Sequence, residues 1–332
     1  LAMPPFARSA TIVTIALALA GCTALRPAAA PAPRSLADRG IALPTGFTYP
    51  AHDTLRVVTW NVENLVDGVD DPYVDAPWEN EGGRDREAKL RRLVEVLRTL
   101  DADVVILQEF ESSRYLRALA TERFPELGYR WFTGTESPTW YQNVVVMSRL
   151  PLGVLRNYAH VHTPVPGIRD SLGRPEVQSQ INSRMWLLEL FARDGVPLHL
   201  AGLHLKAGRT PRDTAMRSGQ VRFLQSELAT VAPTSAGLLV AGDLNATPGS
   251  RELDELIAGA GVGVPLVDPL AGRGVLSHPA RNPTRQLDHI LLDRRLAARL
   301  VPNGVRVATP LSPTEMGAVS DHLPLVATFV LR

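Results

Sequence analysis

Six apolar runs in this chain each give way, at one end, to a short cluster of polar residues, and that pattern limits the folds open to it. Trp60-Asn61-Val62-Glu63-Asn64 follows LRVVT, Gln108-Glu109 follows VVIL, His204-Leu205-Lys206 follows PLHLAGL, and Gly242-Asp243-Leu244-Asn245 follows LLVA. Gln286-Leu287-Asp288-His289 opens the run HILL, and Ser320-Asp321-His322 precedes PLVATFVL. Short runs that are apolar on both faces read as strands covered on both sides. Strands that turn polar at their ends bring carboxylates, amides and imidazoles to one rim of a sheet, where a small site can be assembled.

Further strands are expected at Asn143–Ser148 and Met185–Phe191. Leu90, Leu93, Val94 and Leu97 form a helical stripe within Arg84–Leu100, and Met216, Val221, Leu224 and Leu228 form another within Asp213–Ala229. Many strands with few helices predict an α/β fold of two packed sheets with helices outside. Long loops are expected at Val66–Gly83, His162–Asn182 and Gly259–Arg285, and such loops often carry function.

The N-terminal region reads differently. Arg8 precedes an uncharged run, Ala10 to Ala20, too short to span a bilayer and suited to a signal peptide. The run ends in Leu19-Ala20-Gly21-Cys22, which resembles a bacterial lipobox, and Cys22 is the only cysteine. The expected organisation is a signal peptide over residues 1–21, a lipidated Cys22 with an Ala/Pro-rich tether to residue 52, and one domain over residues 53–332. The protein is thus expected to be exported and held at a cell-envelope membrane by its lipid. A single cysteine excludes an intramolecular disulfide. Without the first 22 residues the chain has 34 basic and 34 acidic side chains, so it lacks the surplus typical of non-specific DNA binders.

The polar clusters suit phosphoryl transfer. Carboxylates bind Mg²⁺ or Mn²⁺, histidines and asparagines donate to phosphate oxygens, and a His–Asp pair orients or activates water. No GxSxG or P-loop is present. In order, WNVEN, QE, HLK, GDLN, LDHILL and SDHLP resemble the endonuclease/exonuclease/phosphatase superfamily, the DNase I-like proteins, from about Leu55 to Leu331. That resemblance implies a four-layer α/β sandwich and a metal-dependent hydrolase of phosphate esters, acting on nucleic acid, nucleotides or lipid head groups, with one or two Mg²⁺ or Mn²⁺ ions.

By the same resemblance, Glu109 matches the principal metal ligand and Asn61 a second, with Glu63 and Asp321 as further metal-site carboxylates. Asp243 matches the residue that activates water, and Asn245 and His204 match phosphate donors. His322 matches the catalytic histidine and Asp288 the carboxylate that holds it. His322 fits either a base or a cationic clamp, and we favour the clamp with Asp243 as base. Arg149, Arg184 and Lys206 stand at positions that are commonly basic and fit substrate contacts. His289 stands where relatives often have Tyr. Phosphodiester cleavage of a nuclease-like kind is expected ahead of phosphomonoester or lipid head-group hydrolysis. The rival is a non-catalytic surface module that keeps the fold, and the complete residue set argues against it. If Cys22 is the anchor, Cys22→Ser should release the exported protein from membranes on fractionation; equal membrane retention would contradict the assignment.

Overall fold

The computed structural model describes residues 35–69, 73–74, 83–137, 140–158, 160–179, 184–193, 195–261 and 263–331. Cys22, the Ala10–Ala20 run and most of the acidic stretch after Leu65 lie outside these residues.

Two mixed sheets form the centre. The first joins β1 (Thr54–Leu65), β2 (Val104–Phe110), β3 (Trp131–Ser137), β4 (Trp140–Ser148), β12 (Leu300–Val307) and β13 (Leu325–Val330) in the order β12-β13-β1-β2-β4-β3. The second joins β5 (Leu152–Asn157), β8 (Met185–Leu190), β9 (Leu198–His204), β10 (Leu238–Asp243) and β11 (Asp288–Leu292) in the order β11-β10-β9-β8-β5. Each contains one parallel pair, β1·β2 and β9·β10.

Strand alternation explains the layers. Leu55, Val57, Val104, Ile106, Val144 and Val146 of the first sheet share a core with Trp186, Leu188, Leu200, Leu239 and Ile290 of the second. The alternate residues Val58, Trp60, Val105 and Leu107 face outward, against Leu93 and Leu97 of α1 (Gly83–Leu100) and Leu116 of α2 (Ser113–Arg123). Leu187, Leu203 and Val240 face Val221, Leu224 and Leu228 of α3 (Pro211–Val231) and Leu256 of α4 (Arg251–Ala258). The result is the expected four-layer α/β sandwich.

Three local expectations need correction. The tether assigned to residues 22–52 is too long: among its described residues Leu36 is buried, and Phe47 packs edge-on against Tyr49 and Trp131 with centroids 5.1 and 5.0 Å away. A few apolar anchors there were masked by the surrounding Ala and Pro. The segment from His162 is no plain loop, because β6 (Thr163–Arg169) and β7 (Pro175–Gln178) pair as a hairpin against α3. This hairpin carries exposed Leu172 and Val177 and no aromatic side chain. Helix α2 and strands β3, β5 and β12 were also missed; their burial is too partial to leave a clean apolar run.

Register carries the fold's main functional consequence. Asp243 of β10 lies opposite His204 of β9 on one side and Asp288 of β11 on the other. Gly242 makes that row possible: its φ is +147°, and a Cβ there would come within 1.9 Å of the Leu203 carbonyl oxygen. Gly242→Ala should therefore cost about 1–3 kcal/mol by overpacking, read from urea denaturation. Unchanged stability would show that β9 and β10 do not meet so closely.

Candidate active site

The row His204–Asp243–Asp288 is met by the rim of the first sheet, where the regular pleat breaks. Register irregularities fall between Asn61 and Leu65 in β1 and between Gln108 and Phe110 in β2. Glu63, Asn64 and Glu109 adopt left-handed backbone, with φ of +50°, +49° and +56°, and so does Asn245 at +49°. Non-glycine residues in this region are strained, and such strain concentrates at functional sites.

Asp243 is buried. Its Oδ1 accepts from the Asn245 backbone N–H at 2.9 Å, and its Oδ2 accepts from the Asn61 and Asn245 carboxamides at 3.2 and 3.3 Å. Burial raises its pKa to about 6, with His322 opposing and Asp288 adding to the rise. His322 is also buried, with Nδ1 2.8 Å from Asp288 Oδ2 and Nε2 3.7 Å from Asp243 Oδ2. Burial alone would lower its pKa; the charges of Asp288 and Asp243, with the Asp288 hydrogen bond, outweigh it and raise the value to about 10. Asp288 and Asp243 thus favour the imidazolium form of His322. Ser277 Oγ donates to Asp288 Oδ2 at 2.6 Å, and Trp60 Nε1 donates to the His322 carbonyl at 2.8 Å, fixing both partners.

Glu109 accepts from Asn61 Nδ2 at 3.0 Å and from the Asn64 backbone N–H at 3.2 Å. Asn61 thus stands between the carboxylates of Glu109 and Asp243. His204 Nε2 lies 3.7 Å from Glu109 and 3.8 Å from Asp243. Burial, then the charges of Arg184 and His322, hold the His204 imidazole well below its usual pKa, so it is neutral. Arg184 lies over the Trp140 ring at 5.9 Å and feels Glu109 and Asp243, while burial lowers its pKa.

Other expected residues sit elsewhere. Arg149 is at the opposite end of the first sheet: it donates to Asp101 at 2.5 Å and to the Leu127 carbonyl at 2.6 Å, and is no substrate contact. A charge flanking a strand does not reveal which end of the sheet it occupies. Lys206 turns away to the Ala207 carbonyl at 2.7 Å and Asp213 at 3.2 Å. The register irregularity after Asn61 interrupts plain alternation at Glu63, whose backbone N–H donates to Asn61 Oδ1 at 3.0 Å. The Glu63 carboxylate accepts from the Asp321 backbone N–H at 2.9 Å, and burial and then Asp321 raise its pKa. Asp321 is exposed and pairs with His278 at 3.2 Å. His289 is a buried structural histidine that donates through Nε2 to the Ala246 carbonyl at 2.9 Å.

His278 was missed. Its ring lies 4.7 Å from that of His322, and its Nδ1 accepts from Arg285 at 2.9 Å. The only sequence signal was a histidine inside a long loop. His278, Asp321 and His322, and likewise Asp243, Asp288 and His322, offer ligand atoms within 4.8 Å of one another. Glu109 and Asn61 also lie together, with the Asn61 nitrogen toward Glu109 and its oxygen accepting from the Glu63 backbone N–H at 3.0 Å; the Glu109 carboxylate is the kind of oxygen ligand that suits a hard divalent ion.

The chain belongs to the Endonuclease/Exonuclease/phosphatase family, whose model matches residues 58–322. The family comprises hydrolases of phosphate esters that generally depend on a divalent metal. A search of curated proteins found no significant match. The fold is similar to D. rerio TDP2 complexed with single-strand DNA product, at 18% identity and TM-score 0.53, covering 84% of this chain and 99% of that one. It is also similar to the 3′ phosphatase NExo from Neisseria bound to a product DNA hairpin, at 16% identity and TM-score 0.52, covering 83% and 99%. An AP endonuclease from Archaeoglobus fulgidus matches at 16% identity and TM-score 0.55, covering 83% and 99%.

The buried charge pair gives a direct test. Asp288→Asn leaves a buried cation short of its partner, and breaking such pairs costs about 3–5 kcal/mol. Urea denaturation should show a loss of that order at pH 7, and a loss below about 1 kcal/mol would contradict the pairing.

Proposed function

We propose that this protein is a phosphodiesterase of the nuclease-like kind, exported and held at a cell-envelope membrane by a lipid on Cys22. The carrying observation is the His322 ring held by Asp288 at 2.8 Å and 3.7 Å from buried Asp243, a pairing that favours the imidazolium and an Asp243 whose pKa burial raises to about 6. The two groups divide the chemistry: Asp243 is the base and His322 the charge stabiliser. As the water oxygen bonds to phosphorus, its proton passes to Asp243. The bond from phosphorus to the leaving oxygen breaks, and that oxygen takes a proton from solvent. Charge building on the non-bridging oxygens meets the His322 cation, neutral His204, the Asn245 amide and the Arg184 guanidinium, and donors aimed at such charge are a large part of catalysis. Glu109 and Asn61, with Asp321 and Glu63 at the rim, would hold Mg²⁺ or Mn²⁺, which would supply further neutralisation of the phosphate. Five carboxylates around the site favour a singly charged diester over a doubly charged monoester. A lipid head-group substrate draws less support, since the β6–β7 hairpin lacks the aromatic side chains that suit a membrane interface.

Hydrolysis of bis(p-nitrophenyl) phosphate should require Mg²⁺ or Mn²⁺ and stop in excess EDTA. His322→Ala should lower kcat on the order of 10²-fold or more, and added metal should not restore it. Glu109→Ala should recover partly as metal is raised. A folded His322→Ala variant with wild-type kcat would overturn the assignment.

A further inference from the structure

Residues 35–53 form a strap that joins the sheets at the end away from the catalytic rim. Leu36 is buried, Tyr49 packs against the core shared by the two sheets, and Phe47 lies against Trp131, the first residue of β3. Arg39 pairs with Glu189, near the end of β8, at 3.6 Å and lies 5.3 Å over the Phe191 ring. His52 Nε2 is 3.2 Å from Asp103, immediately before β2, and Asp53 accepts from Arg193, beyond β8, at 2.7 Å. The Asp53 carbonyl accepts from the Leu331 N–H, beyond β13, at 2.9 Å.

The reactive residues occupy the other ends of the same strands. Asn61 and Glu109 come from the later parts of β1 and β2, while Arg184 stands just before β8 and His322 before β13. The run of β1 from Thr54 to Asn61 alone covers about 23 Å.

This placement constrains an anchor upstream of the strap. Cys22 lies 13 positions before Ser35. A stretch of that length spans at most about 45 Å when fully extended, and a domain of this size is about 50 Å across. Bringing the rim against the surface that holds Cys22 would demand the whole reach of the tether, with loss of nearly all its conformational freedom. Were the strap loose, the tether would run on to Asp53 and reach about twice as far.

We infer that the strap is an orientation device. It fixes the point of attachment at the end away from the catalytic rim, so the anchored protein presents its site outward, to phosphodiesters in solution, and not to the lipids of the membrane that holds it. The inference rests on the lipid at Cys22 and on the phosphodiesterase reading, and it adds the side from which substrate arrives.

Cys22 is the only native cysteine, so a single introduced cysteine can carry a dye in the lipidated protein. Ala207→Cys marks the rim, just beyond His204, and Val196→Cys marks the strap end, ahead of β9; both positions are exposed. Energy transfer is read to acceptor-labelled phospholipid in vesicles of phosphatidylcholine and phosphatidylglycerol that carry the protein. With about 20 Å of strand between the two ends, transfer from Val196→Cys should exceed that from Ala207→Cys about twofold or more. A Gly/Ser insertion of about twenty residues ahead of Ser35 should remove most of the difference, because a longer flexible tether lets the domain turn. Equal transfer from the two positions at native length, stronger transfer from Ala207→Cys, or a difference that the insertion leaves intact overturns the orientation. The same labels on a Cys22→Ser background should show no transfer; transfer that persists there refutes the lipid anchor, and the orientation with it. Hydrolysis of soluble bis(p-nitrophenyl) phosphate by the same vesicles is measured alongside. The expected difference in transfer without hydrolysis keeps the orientation and loses the phosphodiesterase reading.

Discussion

The site depends on a buried imidazolium. His322 lies within 3.8 Å of three carboxylates, those of Asp288, Asp243 and Asp321, and the first two are themselves buried. Taking such charges out of water is costly, and the cluster persists only because each has partners with good geometry. Asp288 takes a hydrogen bond from Ser277, and Asp243 takes three from Asn61 and Asn245. The network favours the protonation states that the proposed chemistry requires: a cation at His322, and at Asp243 a carboxylate able to accept a proton near neutrality.

The fold supplies this geometry through register more than through loops. Three neighbouring strands of the second sheet present His204, Asp243 and Asp288 in one row. The first sheet contributes Asn61 and Glu109 through the ends of its own parallel pair, where bulges turn the side chains out of the regular pleat. Packing of the two sheets on their shared core then brings the two rims together, with the Asn61 amide spanning Glu109 and Asp243. Four strained backbone positions, Glu63, Asn64, Glu109 and Asn245, lie along that seam. Their clustering fits a site whose shape is imposed by the surrounding core.

Most of this was legible in the sequence because buried strands write an unambiguous pattern. Apolar runs marked β1, β2, β9, β10, β11 and β13, and the polar residues ending them marked Asn61, Glu109, His204, Asp243, Asp288 and His322. What was not legible depended on three-dimensional detail. The Glu63 carboxylate accepts from the Asp321 backbone N–H, a contact across 258 residues that strand patterning does not show. Arg149 and Lys206 looked equivalent to Arg184, yet only Arg184 reaches Glu109 and Asp243. His278 arises from long-range contacts of a segment with no periodicity, and partly buried β3, β5, β12 and α2 carried too weak an apolar signal.

The central claim is that His322 is a cation at working pH. The most direct measurement is an NMR titration of its ring nitrogens in the folded wild-type protein. The account predicts an imidazolium that persists through pH 8, with its midpoint near the value of about 10 set by Asp288 and Asp243. A neutral His322 ring at pH 7 would contradict it, and would return His322 to the role of base.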